Sequence, residues 1–316
     1  MIVDLPSSTT SAVNKKIVEL REKGGVLALG RVLTLVIVTN DGAELEPAVE
    51  AANAASREHP CRVIVVARGA RKAAPRLDAQ IRVGGDAGAS EVIVLRGYGP
   101  LADGEAAAGM VMPLLLPDAP VVAWWPGEAP AVPSQDPVGR LAQRRITDAL
   151  ASRNPIKAIE QRRANHVPGD TDLTWTRLTP WRALLATALD GPPHEPVLSA
   201  TVAGETVSPS TDLMAGWLAA RLNAKVKRSP NDGGPGLTSV RLDRPSGPVE
   251  LVRPDGKVGW LRQPGQPDRQ VALMRREVRD CLAEELRRLD HDEPYAEALA
   301  GWSKVSRGRT PVKAVL

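Results

Sequence analysis

The first third of the chain alternates between two hydrophobic periods. Val13, Ile17 and Leu20 recur at helical spacing behind Thr10-Ser11, and Gly24-Gly25 supplies a stop. The run Val32 to Val38 is then almost unbroken in β-branched and aliphatic residues, as a strand covered on both faces requires. After the turn Asn40-Asp41-Gly42, Leu45, Val49 and Ala52 mark a helix, and Arg62 to Ala67 reads as a second buried strand. Strand, crossover helix and strand make a βαβ unit, whose strands are parallel. Further strands are expected at Gln80 to Val83, Val92 to Leu95 and Val121 to Trp125, with a short helix within Ala106 to Leu116.

The pattern changes after the Pro-rich stretch Gly127 to Pro137. Leu141, Ile146, Ala149 and Leu150 fit an amphipathic helix, Pro180 to Leu189 a second, and Ser210-Thr211-Asp212 caps a third. Four alternating segments follow: Ser239 to Asp243, Val249 to Arg253, Lys257 to Arg262 and Arg269 to Leu273. Asp255-Gly256 marks a hairpin, so these form an antiparallel meander. Val240 and Leu242, Val249 and Leu251, Val258 and Trp260, and Val271 and Leu273 are expected to face one core. A closing helix over about Arg275 to Leu289 carries Val278, Leu282, Leu286 and Leu289, with Glu284 and Arg288 paired outside. The expected architecture is an α/β N-terminal domain, three-layered with a largely parallel sheet, plus an α+β C-terminal domain built on the meander. Boundaries are expected at 1–130 and 138–302, with a basic tail over 303–316.

The 316 residues carry a net charge of +4, but Lys304, Arg307, Arg309 and Lys313 in the tail account for all of it. A basic terminus over an otherwise neutral chain speaks for a solvated tail and against nucleic-acid binding. No window reaches about 18 apolar residues and the start lacks signal-peptide order, so no membrane association and a cytoplasmic location are expected. Cys61 and Cys281 are far apart in sequence and fall on apolar faces, where they read as small core residues.

Recognisable chemistry is sparse. Neither a G-x-x-x-x-G-K-[ST] nor a G-x-G-x-x-G follows a clear strand, and Gly84-Gly85-Asp86-Ala87-Gly88 reads as a turn. There is no G-x-S-x-G, and His59, His166, His194 and His291 lack metal-ligand spacing. Glu284-Glu285 reads as a solvated helix face. No catalytic residue, cofactor or metal ligand is therefore assigned.

What stands out is tryptophan beside arginine. Four of the seven tryptophans lie in Val121 to Gly127 and Asp172 to Arg182, in a chain without phenylalanine. Trp124 and Trp125 end a strand, so one ring points to each face and the outer one needs a second cover. Arg177 and Arg182 flank Trp181, suiting either stacking inside the fold or a protein interface, and Trp175 belongs to the same motif. Arg144, Arg145 and Asp148 fall around one helical turn, able to serve a salt-bridge network or an anion. These nine are the interface candidates. The residues alone leave open a protein-binding activator and a small-ligand-binding or catalytic α/β protein with a spatially assembled site.

The stretches Pro113 to Gly127, Arg144 to Asp148, Asp172 to Arg182 and Cys281 to Asp290, with the opening Ile2 to Lys16, resemble the glucose-6-phosphate dehydrogenase assembly protein OpcA family. The likeness covers nearly the whole chain, thinning over 203–235 and after about residue 300. The resemblance implies a non-enzymatic protein that binds glucose-6-phosphate dehydrogenase, promotes its active oligomer and raises its activity in the oxidative pentose phosphate pathway. Some members of that family are described as passing a redox signal through cysteines. This chain departs from them in having only Cys61 and Cys281.

Overall fold

A computed structural model describes residues 1–24, 32–83, 91–231 and 233–312. The Gly84 to Gly88 turn, Gly25 and Lys313 lie outside the described residues. In chain order, β1 (Ile2–Leu5), α1 (Thr10–Gly24), β2 (Leu33–Asn40), α2 (Leu45–Ser56), β3 (Cys61–Arg68), β4 (Arg76–Val83) and β5 (Glu91–Tyr98) open the chain. Next come α3 (Gly104–Val111), β6 (Val121–Trp124), β7 (Arg144–Thr147), α4 (Pro155–Asn165), β8 (Asp170–Asp172), α5 (Leu173–Thr176), α6 (Thr179–Asp190), β9 (Ser199–Gly204) and α7 (Pro209–Arg221). The remainder is β10 (Lys225–Pro230), β11 (Leu237–Asp243), β12 (Val249–Val252), β13 (Val258–Arg262), β14 (Arg269–Ala272), α8 (Val278–Arg287), α9 (Glu293–Gly301) and β15 (Ser306–Arg307).

The chain folds as two compact units that interleave in sequence. The first takes Met1–Ser152, Val167–Thr171 and Glu277–His291; the second takes Arg153–His166, Asp172–Arg276 and Asp292–Leu316. The division therefore does not fall at the Pro-rich stretch near residue 130. The first sheet continues past it, because Arg144 to Thr147 form a strand beside β6 where a helix was expected.

The first unit holds a sheet of order β1-β4-β5-β3-β2-β6-β7-β8. The pairs β5–β3, β3–β2, β2–β6 and β6–β7 are parallel, and β4 and β1 add an antiparallel edge. Alternation along the strands feeds two layers: Val36, Val38, Ile64, Val66, Ala123 and Trp125 pack with Val13 and Ile17 of α1 and Ala107 and Val111 of α3. Residues of opposite phase, such as Leu35, Ile37, Val63 and Val65, are equally buried, and α2 and α8 pack together. This is the expected three-layer arrangement. Within the parallel set, β2 comes first and lies in the middle. The chain builds β3 and β5 on one side and then crosses to β6 and β7 on the other, so the winding direction reverses between β2 and β6.

The second unit holds a sheet of order β14-β13-β12-β11-β9-β10-β15. The four expected strands β11 to β14 form the antiparallel meander. Asp255 makes its hairpin turn by accepting the Lys257 and Val258 N–H groups at 2.8 and 3.1 Å, with Gly256 at φ +75°. One expectation fails by a single residue. In β13 the buried positions are Gly259 and Leu261, which oppose Val271 and Leu251, while Val258 and Trp260 occupy the half-exposed face. The third expected helix is α7, capped by Ser208 rather than by Ser210 to Asp212, and the unexpected strands β9 and β10 flank it as a second βαβ unit with parallel strands. Helix α7 meets α9 so closely that a Cβ on Gly216 or Gly301 would strike the other helix's backbone.

The described part of the basic tail is docked. Ser306 and Arg307 pair with β10, the Gly308 N–H donates to Arg228 O at 2.8 Å, and the Val312 N–H donates to Pro230 O at 2.9 Å. Arg307 also reaches Asp212, buried at 2% exposure, at 3.0 Å, with Arg228 3.5 Å away on the same oxygen. Burial holds the Asp212 carboxyl above its ordinary range, against the pull of Arg228 and Arg307. A carboxyl whose folded value exceeds its unfolded one favours folding when protonated, and that contribution is lost as pH rises through the raised value. Arg307 favours the ionised form. Arg307→Ala should therefore cost about 1.5 kcal/mol at about pH 7, the lower end for a hydrogen bond to a charged group because Arg307 is half-exposed. The loss should shrink at about pH 4. Denaturant titration at both pH values checks this; equal losses would show that Asp212 is not what Arg307 holds.

Candidate functional site

The strand that ends in Trp124 and Trp125 sends the two rings to opposite faces, and both are 0% exposed. Trp125 packs in the core with Val138 and Ala142. The expectation that the second ring needs a cover is met on the α2 side, where Trp124 lines a cavity together with Ala48 and Val278. Neither ring is presented to solvent.

Arg144, Arg145 and Asp148 are likewise interior. Arg144 donates from Nε and Nη2 to Glu285 of α8 and from Nη1 to Asp290 O at 2.5 Å. Both side chains of that ion pair are at most 5% exposed. Glu285 is thus the buried member of the Glu284-Glu285 pair, which corrects its reading as a solvated face. Arg145 ion-pairs with Asp170 and donates to Ala142 O and Pro168 O, each at 2.7 Å, joining β7 to the strand beside it. Gly169, at φ +92°, keeps the backbone close enough for this, since a Cβ there would meet the Arg145 guanidinium. Asp148, at 2% exposure, accepts the Leu150 N–H at 3.2 Å. Two arginines at successive strand positions thus brace opposite directions of one sheet edge, a task that a helical turn would not have allowed.

The second motif lies in the second unit. Trp175 and Trp181 are each 1% exposed, and the Trp175 indole N–H donates to Asp292 at 2.9 Å. Asp292 is also the N-cap of α9, accepting the Tyr295 N–H at 3.0 Å. The Arg182 guanidinium lies 3.7 Å over the Trp175 ring, and the guanidinium over Trp181 belongs to Arg253, at 5.1 Å. Arg253 donates to Leu273 O and Leu237 O, and burial, reinforced by Arg275, lowers its pKa to about 10. Of the nine candidates only Arg177 and Arg182 keep intermediate exposure. Asp292, Tyr295 and Arg253 carry no local signal of this role in the sequence, because their contacts with these rings span large sequence separations.

At the carboxyl ends of β2 and β6, where the winding reverses, the first unit has a cavity of about 370 Å³. Ala43, Glu44, Pro47, Ala48, Pro126 and Gly127 are among its lining residues, with Trp124, Asp148, Ala151 and Val278. Among the described residues, no three of His, Cys, Asp or Glu are grouped to hold a metal, and no helix is long and apolar enough to cross a membrane.

The buried pair predicts a clear asymmetry on α8. Glu285→Ala should lower unfolding free energy by about 3–5 kcal/mol, because it leaves the Arg144 charge buried and unpaired. Arg279→Ala, exposed on the same helix, should cost within about 0.5 kcal/mol. Trp175→Ala and Trp181→Ala should each cost about 3–5 kcal/mol as core truncations. Denaturant unfolding decides it, and a Glu285→Ala loss no larger than that of Arg279→Ala would remove the pair from the account.

Comparisons with known proteins complete the site. Among solved structures, UDP-N-acetylglucosamine 3-dehydrogenase GnnA from Acidithiobacillus ferrooxidans matches 86% of this chain and 96% of its own, at 11% identity and TM-score 0.33. An oxidoreductase from Sinorhizobium meliloti matches 85% and 86%, at 12% identity and TM-score 0.36. Likenesses this weak transfer no chemistry. No curated protein matches the chain. Two family models do: the glucose-6-phosphate dehydrogenase subunit N-terminal domain over residues 52–164 and the C-terminal domain of the same subunit over residues 168–299. With both domains matched in order along the sequence, the chain belongs to the glucose-6-phosphate dehydrogenase assembly protein OpcA family.

Proposed function

We propose that this chain is a non-enzymatic, cytoplasmic partner of glucose-6-phosphate dehydrogenase that promotes the enzyme's active oligomer and raises its activity in the oxidative pentose phosphate pathway. The observation that carries this reading is the ordered match to both domains of a family named for a subunit of that enzyme. The architecture supports it. The loop from β2 into α2, Asn40-Asp41-Gly42-Ala43-Glu44, offers two carboxylates where a dinucleotide-binding protein presents glycine amides to phosphate.

A binder raises an enzyme's activity only as far as it prefers the active conformation or assembly over the inactive one. Such a preference needs a rigid surface. In this reading Trp124, Trp125, Trp175 and Trp181, with Arg144, Arg145 and Asp148, act from inside as supports of the docking surface, and Arg177 and Arg182 are the members of the set within reach of a partner. Cys61 and Cys281 are both 0% exposed and in no disulfide, so activation is expected to be insensitive to mild oxidants.

The test is an initial-rate assay. The chain alone should oxidise no glucose 6-phosphate with either nicotinamide cofactor, and titration into the cognate dehydrogenase should raise its rate to a plateau. Turnover by the chain alone, or a dehydrogenase rate unmoved at saturating chain, would contradict the reading.

A further inference from the structure

In open, doubly wound sheets, the crevice outside the carboxyl ends of the strands at the winding reversal is where ligands bind. Here that place is a real cavity, about 370 Å³, within the size range of small-molecule sites. Its walls are mostly apolar, formed by Ala43, Pro47, Ala48, Pro126, Ala151 and Val278. Two polar features break that lining.

The first is a donor. Trp124 lines the cavity, is 0% exposed, and its Nε1 has no acceptor among the described residues. A buried indole N–H without an acceptor costs about 1–3 kcal/mol, and a ligand oxygen would recover it. The second is an acceptor. Glu44 accepts the Thr39 hydroxyl and the Asn40 side-chain N–H, each at 3.3 Å, and forms no ion pair among the described residues. Its carboxylate lies against Gly127, 3.4 Å from where a Cβ would stand, at the N-terminus of α2. That is the position an anionic ligand would take at a helix start. With Glu44 there, a phosphate or carboxylate is repelled. Asp148, which also lines the cavity, adds to the acidic character.

We propose that this crevice binds a small uncharged molecule made of an apolar body and a carboxamide-like group, which accepts from the Trp124 indole N–H and donates to Glu44. An amine would leave the indole unsatisfied. An acid would face Glu44. A group that both accepts and donates without charge meets both, while the apolar body fills the Ala/Pro/Val walls.

Benzamide and benzoate, nearly equal in shape, test this on the full chain, with the Trp124 indole N–H resonance and calorimetry as readouts. Benzamide should give a saturable shift, and benzoate should bind at least about tenfold more weakly. Glu44→Gln should bring the two within about threefold, and Ala151→Trp, which fills the cavity from an exposed position, should abolish benzamide binding. Adenosine diphosphate should not compete. Benzamide affinity should be unchanged with saturating dehydrogenase present; competition would mean that the crevice takes a partner's side-chain amide, and the free-molecule proposal would fall. It would fall equally if benzoate or adenosine diphosphate bound as well as benzamide, if Ala151→Trp left binding intact, or if no saturable shift appeared. None of these outcomes bears on activation, so the two readings fail separately.

Discussion

A guanidinium taken out of water must find a carboxylate, and the first unit depends on Arg144 finding one 141 residues further along the chain. Arg144 sits on β7, at the side of the sheet laid down last, and Glu285 sits on α8. The chain completes most of the second unit between them, yet α8 returns to the first, where it packs with α2. Leu282 and Leu286 of α8 are buried, but non-directional apolar burial would accept a helix in several rotations. The ion pair accepts one. Its desolvation is costly, so its value lies in fixing position.

The same logic governs the aromatic motifs. A chain without phenylalanine relies on tryptophan for its largest core volumes, and an indole carries an N–H that asks for an acceptor. Trp175 meets this through Asp292, which also starts α9, so one carboxylate orders a ring and a helix together. Arg182 and Arg253 cover the rings of Trp175 and Trp181 with flat, weakly hydrated guanidinium groups. Trp124 and Trp125 depart from this, since neither indole N–H has an acceptor among the described residues, and Trp124 lies beside a cavity at the place where this class of sheet holds ligands.

Much of the architecture was legible because it rests on local periodicity. The continuous runs of β2 and β3, the meander and its Asp255-Gly256 turn, and the apolar stripe of α8 all follow from residues close in sequence. Misreadings came where a long-range partner overrides the local pattern. Arg144 to Thr147 looks polar and helical alone, and is a strand because β6 lies beside it and buried carboxylates await both arginines. Trp260 looks like a core residue, but Gly259 and Leu261 hold the buried face of β13. The Trp and Arg set was recognised as exceptional from composition, yet only burial separates a ring that docks a partner from one that packs a core. Asp212 and Arg307, 95 positions apart by their numbering, form a contact that no charge count of the tail reveals.

An interaction protein with a rigid interior is expected to act by changing what its partner assembles into, and mass is the direct readout of that. Sedimentation of glucose-6-phosphate dehydrogenase across a dilution series, alone and with an equimolar amount of this chain, measures it. The account predicts that the chain co-sediments with the enzyme and holds the larger, active assembly at concentrations where the enzyme alone dissociates. An enzyme whose mass distribution is the same with and without the chain, at every concentration, would contradict it.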